Sequence, residues 1–255
     1  MKATQVKSAV RVFEVFEHFR RVQNPQSVRE IAERLGYPLI STSILLKSIA
    51  SLGYLSYDRL SRTYFPTMRV MVMGRWLESG ILKGGKIIPF VEWLAAKTGE
   101  TVMVAAQNDI HSQYLHVLPA RYPLQFYPMV GAVRPLCWSG TGIALLSQQD
   151  DDFVRRVFDR TRLRIGRTAE WPKDLSVETV LREVRRTRRL GYCQTRNMTT
   201  PGSAVIAMPV PVGTSAAKLV IAVAGLCQRF DTSGPSIVKA LFAGLRRFYG
   251  GKMGR

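Results

Sequence analysis

The sequence predicts an α+β fold with a small N-terminal domain, a connecting helix and a larger C-terminal domain. Residues 27–65 contain two apolar repeats at helical spacing, a tight turn between them and two short alternating segments after them. Residues 67–80 form a further apolar helical pattern. Beyond residue 80, helical runs mix with β-like runs that are joined by turn signals. This order favours an antiparallel sheet with helices packed against it.

The first helix of the N-terminal pair begins at a capping box. Ser27 and Glu30 have the spacing at which the serine oxygen accepts from the Glu30 amide and the Glu30 side chain reaches back. The apolar stripe that follows is Val28, Ile31, Ala32 and Leu35. Gly36 can adopt the left-handed conformation that ends a helix. Tyr37-Pro38 holds an extended turn, because a residue before proline avoids helical geometry.

The second helix has two faces of different chemistry. Gly53 closes this helix, and its inward positions are Leu45, Leu46, Ile49 and Leu52. The opposite face carries Ile40, Ser43, Ile44, Lys47 and Ser51. Short polar side chains near the start of such a helix suit close approach to base edges and phosphates.

A hairpin follows the helix pair. Residues 54–57 and 63–65 alternate like two short strands, and Arg59 and Arg62 lie between them, where they suit phosphates or a narrow minor groove. Helix, turn, helix and hairpin in this order predict a winged helix-turn-helix that binds double-stranded DNA. The alternative for the hairpin is a solvated turn whose arginines bind nothing. The alternative for the helix pair is an ordinary helical hairpin in a helical core. The candidate DNA-binding residues are Ser27, Ile40, Ser41, Thr42, Ser43, Ile44, Lys47, Arg59 and Arg62.

The predicted domain boundaries are 1–66, 67–80 and 81–255. An amphipathic helix over residues 8–19, with Val10, Phe13 and Phe16 or Val12 facing inward, completes the first domain. The connecting helix is a candidate dimer contact, although plain core packing explains its apolar residues equally well. In the last domain, helices are predicted at 87–97, 140–148, 151–160, 177–190 and 234–249, and strands at 101–106, 113–118, 203–212 and 218–226. Turns are predicted at Asn108-Asp109 and at Gly213-Thr214-Ser215.

The composition favours a polyanionic partner. Lys and Arg number 37 against 18 Asp and Glu, a formal net charge of +19. The chain is 46% hydrophobic, so it can build real cores. No apolar run reaches the roughly 20 residues that span a bilayer, and the charged N-terminus is typical of a helix rather than a secretion signal. The three scattered cysteines, Cys137, Cys193 and Cys227, argue against a disulfide framework and fit the cytoplasm.

Enzyme motifs are weak, and neither a catalytic residue nor a cofactor is predicted. Ser139 lies in W-S-G-T-G, which is not the G-x-S-x-G of a nucleophile elbow. Leu145 occupies the third glycine position of a dinucleotide loop that would begin at Gly140. The three histidines lack metal-ligand spacing; His18 is expected on the surface, and His111 and His116 are expected to be structural. Cys137 suits a buried filler better than a reactive thiol.

Four segments of the chain resemble IclR-type bacterial transcription regulators, named for the isocitrate lyase regulator. The first is the helix pair, in residues 31–38 and 45–55, and the second is residues 92–102, which are similar to L-A-x-x-T-G-E-T-V. The third is residues 130–146. The fourth comprises Gly191-Tyr192, Pro201-Gly202 and residues 206–210. The resemblance implies a dimer or tetramer that binds a palindromic operator. It also implies a GAF-like C-terminal domain that senses small organic molecules, often carboxylic acids or aromatics. The implied effector-binding residues are Gly131, Trp138, Ser139, Gly140, Thr141, Arg196, Ser203 and Val205.

Departures of the chain from the family pattern affect the recognition helix and the effector domain, where Trp138 changes the shape of the pocket. Ile44 stands where many members have a basic residue, so a bidentate guanine contact is unavailable and a thymine methyl contact replaces it. Residues 195–200 lack the usual acidic run, which disfavours a carboxylate-mediated ligand or metal contact, and Arg196 favours an anionic effector. A second interpretation is a basic architectural nucleic-acid-binding protein whose C-terminal domain only oligomerises. The arginine-rich run 182–189 favours it slightly, although a solvated helix face usually explains such a run.

Overall fold

The computed structural model describes residues 6–73, 85–168, 171–211 and 218–250. The chain divides into two compact units, Met1–Ser79 and Gly80–Arg255. The connecting helix, α4, is described over residues 68–73, and residues 74–80 of its predicted range lie outside the described residues. No helix in the described part of the chain is long and apolar enough to cross a membrane.

The first unit has three helices and a small antiparallel sheet ahead of α4. Its elements are α1 (Lys7–Val22), β1 (Gln26–Ser27), α2 (Val28–Leu35), α3 (Leu39–Ser51), β2 (Leu55–Asp58) and β3 (Thr63–Pro66). The strand order is β1-β3-β2, so β1, which the sequence did not predict, pairs with the wing. The core consists of Val15, Phe19, Ile31, Leu46, Ile49, Leu55 and Tyr64.

Three burial predictions in this unit are wrong. Phe13 is exposed, and the inward stripe of α1 runs through Val15 and Phe19 instead. Apolar residues occur on several sides of α1, so their spacing did not fix the buried face. His18, expected on the surface, is only 2% exposed. Leu52 is exposed because it is the C-cap of α3, beyond the last turn that packs inward.

The second unit is built around six antiparallel strands in the order β6-β5-β4-β9-β8-β7. Its first elements are α5 (Ile87–Thr98), β4 (Thr101–Asn108), β5 (His111–Leu118) and β6 (Val133–Pro135). A 3-10 turn (Leu136–Trp138) leads into α6 (Gly140–Leu146), α7 (Asp151–Ile165) and α8 (Val177–Leu190). The last elements are β7 (Cys193–Arg196), β8 (Ser203–Val210), β9 (Leu219–Leu226) and α9 (Cys227–Tyr249).

Helices cover both faces of this sheet. On β9, Leu219, Ile221 and Val223 pack with α5 and α9. The alternate residues Val220, Ala222 and Ala224 pack with α6, α7 and α8. A strand buried on both sides reads as a continuous apolar run, which is why it was recognisable in the sequence.

The predicted helices and the four longer strands are present, with shifted ends. The short strands β6 and β7 were not predicted. Helix α9 begins at Cys227 rather than near residue 234, although Gly234-Pro235 favoured a start there, and Pro235 lies inside the helix. The predicted turn at residues 213–215 lies outside the described residues.

Candidate functional site

Capping interactions fix the helix pair of the first unit. The Ser27 Oγ accepts from the Glu30 amide at 3.3 Å, and a Glu30 carboxylate oxygen accepts from the Ser27 amide at 2.7 Å. These hydrogen bonds lower the pKa of the Glu30 carboxyl below its ordinary value. Gly36 has φ of 68° at the end of α2, where the missing side chain removes the cost of the left-handed conformation. The turn then leads into α3, which packs against α2.

The start of α2, the exposed face of α3 and the wing line one open cleft of about 610 Å³. Its lining residues are Ser27, Val28, Arg29, Leu39, Ile40, Ser43, Ile44, Lys47, Tyr57 and Arg62. Six of the nine candidate DNA-binding residues therefore lie together: Ser27, Ile40, Ser43, Ile44, Lys47 and Arg62. Sequence reasoning missed Val28, Arg29, Leu39 and Tyr57. The first three lie in the first turns of the two helices, which was a usable signal, whereas Tyr57 is two residues from the buried Leu55, so alternation along β2 did not mark it as exposed.

The other three candidates lie off this cleft. Thr42 is 1% exposed, and its hydroxyl donates to the Pro38 carbonyl at 3.0 Å, so its side chain belongs to the core side of α3. The Ser41 hydroxyl donates to the same carbonyl at 3.0 Å. Arg59 is exposed in the wing loop. We therefore remove Thr42 from the contacting set.

Local hydrogen bonds order the wing tip. The Asp58 carboxylate accepts from the Ser61 hydroxyl at 2.7 Å and from the Leu60 amide at 2.9 Å, and these bonds lower the pKa of the Asp58 carboxyl. Arg62 takes a left-handed φ of 55° at the turn back into β3. The base of the wing is held to α1 by edge-to-face contact between Phe19 and Phe65, whose ring centroids lie 6.1 Å apart. A rigid base and an exposed, basic tip suit a nucleic-acid contact.

The exposed face of α3 is apolar for a helix that approaches DNA. Leu39, Ile40 and Ile44 are 53%, 77% and 61% exposed. The helix contains no Arg, Asn or Gln, and Lys47 is its only charged residue. Bidentate contacts to guanine or adenine need one of the missing side chains or a lysine, so this face offers methyl contacts, serine hydroxyls and one cation.

In the second unit, the structure brings together part of the implied effector set at the start of α6. A Cβ on Gly140 would lie 2.8 Å from the Thr195 hydroxyl oxygen and 3.1 Å from Val205 Cγ1. The Thr141 hydroxyl accepts from the Ser112 hydroxyl at 2.9 Å. Gly140, at the start of α6, therefore lies against β7 and β8, and the next residue, Thr141, lies against β5.

The hydroxyls of this region already have partners within the protein. Ser139 caps α6 by accepting from the Gly142 amide at 3.1 Å, and it donates to the Pro135 carbonyl at 2.7 Å. Ser203 donates to the Thr200 carbonyl at 2.6 Å. Arg196, expected to favour an anion, is paired with Asp231 of α9.

The remaining two members are not part of that contact. The Gly131 amide donates to the Tyr114 carbonyl on β5, and two strands, β4 and β9, separate β5 from β8. Trp138 packs edge-to-face on Trp171 with 5.5 Å between ring centroids. Gly140, Thr141 and Val205 therefore meet at the start of α6, and Gly131 and Trp138 lie beside that contact.

Two of the three thiols of this unit, those of Cys137 and Cys193, are buried. Burial raises the pKa of Cys137 and of Cys193 to about 12, which keeps both protonated at neutral pH. Cys137 is a packing residue in the core beside α7, as expected. The described part of the chain contains no group of three or more His, Cys, Asp or Glu side chains placed to hold a metal ion.

Comparison with known proteins decides the family. Residues 8–59 match the model of the IclR helix-turn-helix domain, and residues 85–246 match that of the bacterial transcriptional regulator IclR C-terminal domain. The chain belongs to the IclR family. Members of the IclR family are transcriptional regulators, and residues 8–59 are the DNA-binding helix-turn-helix domain of this one.

Relatives and solved structures agree with this assignment. The HTH-type transcriptional regulator KdgR of Escherichia coli K12 is 25% identical over 228 residues, covering 89% of this chain and 83% of that protein. KdgR of Dickeya chrysanthemi is 25% identical over 228 residues, covering 89% and 72%. The Alicyclobacillus acidocaldarius IclR regulator has the same fold, with a TM-score of 0.64 at 23% identity over 97% of this chain and all of that one. Thermotoga maritima IclR gives 0.69 at 14% identity, over 96% and 100%. The predicted IclR family and α+β fold are confirmed.

Proposed function

We propose that this IclR-family regulator binds a palindromic operator as a dimer and that a small organic ligand in the second unit alters this binding. The observation that carries the proposal is the cleft shared by α2, α3 and the wing. In it α3 lies in the major groove, where Ile40, Ser43 and Ile44 meet base edges. Lys47 and Arg29 meet phosphates, and Arg59 and Arg62 follow the backbone beside the minor groove.

Lys47→Ala is expected to weaken binding to all sequences alike and to reduce its salt dependence. Each phosphate that a lysine neutralises contributes about 0.9 to the slope of log affinity against log salt. Mobility-shift titrations at four salt concentrations measure both quantities. Lys97→Ala, which removes an exposed lysine from α5, is the matched control. If Lys47→Ala keeps the wild-type slope, Lys47 does not meet a phosphate.

The dimer proposal rests on symmetry. A single winged module contacts few bases, and a two-fold dimer reads two half-sites about 34 Å apart, one helical turn along the DNA. Sedimentation at micromolar protein without DNA is expected to show a species at least twice the 28.7 kDa of the monomer. A purely monomeric profile contradicts the proposal.

The effector proposal places a carboxylate or aromatic ligand between the start of α6 and strands β7 and β8. The full proposed set remains Gly131, Trp138, Ser139, Gly140, Thr141, Arg196, Ser203 and Val205. Because Arg196 is paired with Asp231, a ligand carboxylate must compete with that aspartate. The ligand regulates only if it binds the DNA-competent and incompetent states with different affinity.

Val205→Phe is expected to abolish ligand binding, because Val205 already lies against Gly140 and a phenyl ring would occupy any room that opens for a ligand between β8 and the start of α6. Asp231→Asn is expected to strengthen binding of anionic ligands several-fold by releasing Arg196. Calorimetry with a panel of carboxylates measures both, with Val133→Phe on the distant strand β6 as control. Binding that survives Val205→Phe places the site elsewhere. A ligand that leaves operator affinity unchanged removes the regulatory proposal.

A further inference from the structure

Helices α7 and α8 form a basic groove of about 530 Å³ that the proposed operator contact does not use. Its lining residues are Arg155, Glu178, Leu181, Arg182, Glu183, Arg185, Arg186 and Arg189. Five arginines and two glutamates give a formal surplus of three positive charges. The groove lies wholly within the second unit.

The arginines of α8 form a line. Arg182, Arg185, Arg186 and Arg189 recur at intervals of three, four and seven residues, which places them along one side of the helix. Seven residues of helix extend about 10.5 Å, at a rise of about 1.5 Å per residue. That length equals about three base-pair steps along the axis of a DNA duplex, at about 3.4 Å per step. The line therefore suits a regularly spaced polyanion.

Acidic neighbours bind some of the arginines of these helices. Arg185 and Arg188 share the Asp151 carboxylate, at 2.5 Å and 2.6 Å, which ties α8 to the start of α7. Arg160 and Arg164 of α7 bind Asp109, away from the groove. The contacts with Asp151 hold the backbone of α8, which carries the line of arginines, against the start of α7.

Among the described residues, the other arginines of the groove have a longer ion pair or none. Arg186 approaches Glu183 only to 3.5 Å. Arg155, Arg182 and Arg189 are exposed and make no ion pair or side-chain hydrogen bond with another residue of the described ranges. The acidic residues of the groove within three or four residues of these arginines are Glu178 and Glu183, and the cations exceed them.

We propose that the groove between α7 and α8 is a second binding surface for the phosphate backbone of duplex DNA, which supplies affinity without sequence preference. Guanidinium groups bind phosphate oxygens in a bidentate manner, and their charge persists when they leave water. The regular line favours an extended backbone over a compact anion. Residues 8–59 of the same chain form a DNA-binding domain, so duplex DNA is the polyanion that this chain meets.

The test uses the full-length chain and a 40-base-pair duplex without an operator. The variant combines Arg182→Ala, Arg186→Ala and Arg189→Ala. The control combines Arg121→Ala, Lys239→Ala and Arg246→Ala, which removes the same charge from exposed positions elsewhere in the second unit. At about 0.1 M salt, the variant is expected to bind about 10-fold more weakly and to lose about 2 to 3 from the salt slope, at about 0.9 per phosphate contact. The control changes affinity less than 2-fold.

Three further measurements keep the result specific. Replacing the same three arginines by lysine is expected to restore most of the slope, since lysine also neutralises phosphate. The alanine variant is expected to keep the wild-type preference for operator over non-operator DNA, because that preference rests on the proposed contact of α3. A failure of the α3 proposal is therefore distinguishable from a failure of this one. Equal slopes for variant and control overturn the proposal. So does a variant that loses binding to single-stranded RNA or to an acidic peptide while its duplex slope is unchanged.

Discussion

Replacing Ile40 and Ile44 together by alanine is expected to weaken operator binding by about 30-fold. Both side chains are more than half exposed on a helix that lacks arginine, asparagine and glutamine. Burial of a large aliphatic side chain contributes about 1.5–3 kcal/mol, and partial burial of two against thymine methyls gives about 2 kcal/mol. Since about 1.4 kcal/mol is a factor of ten in affinity, the expected loss follows. Titration of selected operator DNA measures it.

The DNA itself supplies the control. Exchanging a contacted thymine for uracil removes only the C5 methyl group and leaves every hydrogen-bonding group of the base in place. Wild-type protein is expected to lose affinity on this exchange, and the double variant is expected to lose almost none. A uracil effect of equal size in both proteins shows that the isoleucines do not contact the methyl groups.

Gly142→Ala is expected to destabilise the second unit by about 3 kcal/mol or more, at the upper end of the cost of overpacking a core. A Cβ there would lie 2.5 Å from the Leu136 Cα and 2.7 Å from its carbonyl carbon. These are backbone atoms of the buried 3-10 turn, so they cannot rotate away as a side chain does. Denaturant titration monitored by tryptophan fluorescence measures the loss, because Trp93, Trp138 and Trp171 lie in this unit.

Gly234→Ala is the matched substitution. It also adds one methyl group to a buried helical glycine, but beyond its own helix and its chain neighbours the new Cβ meets only Gln194 Nε2, at the ordinary distance of 3.7 Å. Alanine favours a helix over glycine by up to about 1 kcal/mol, but its Cβ crowds the ring of the following Pro235, so this variant is expected to lie near wild type in stability and well above Gly142→Ala. Equal destabilisation by the two substitutions contradicts the packing argument.

Local signals made much of the fold predictable. The capping box at Ser27, the left-handed Gly36 and the two-faced pattern of α3 are encoded within a few residues, and all three are present. The run from Leu219 to Leu226 is apolar throughout because β9 is buried on both faces. Features of this kind need no knowledge of distant contacts.

Long-range contacts were not predictable in this way. Strands β6 and β7 are three and four residues long, and their pairing with β5 and β8 defines them more than their own sequence does. The partner of Arg196 lies 35 residues away, and Thr141 is bonded to a serine 29 residues earlier. The sequence marked the polar residues of the effector region, but only the fold shows which of them have partners inside the protein.

The alternation along β9 restricts how the second unit can respond to a ligand. Leu219, Ile221 and Val223 fill one layer, while Val220, Ala222 and Ala224 fill the other. A slip of one residue would exchange the two sets, forcing bulky side chains under α6 and leaving voids under α9. The central strand is therefore locked in register. If α6 moves, the strands cannot slide past one another, so the helices and the sheet must tilt as intact layers.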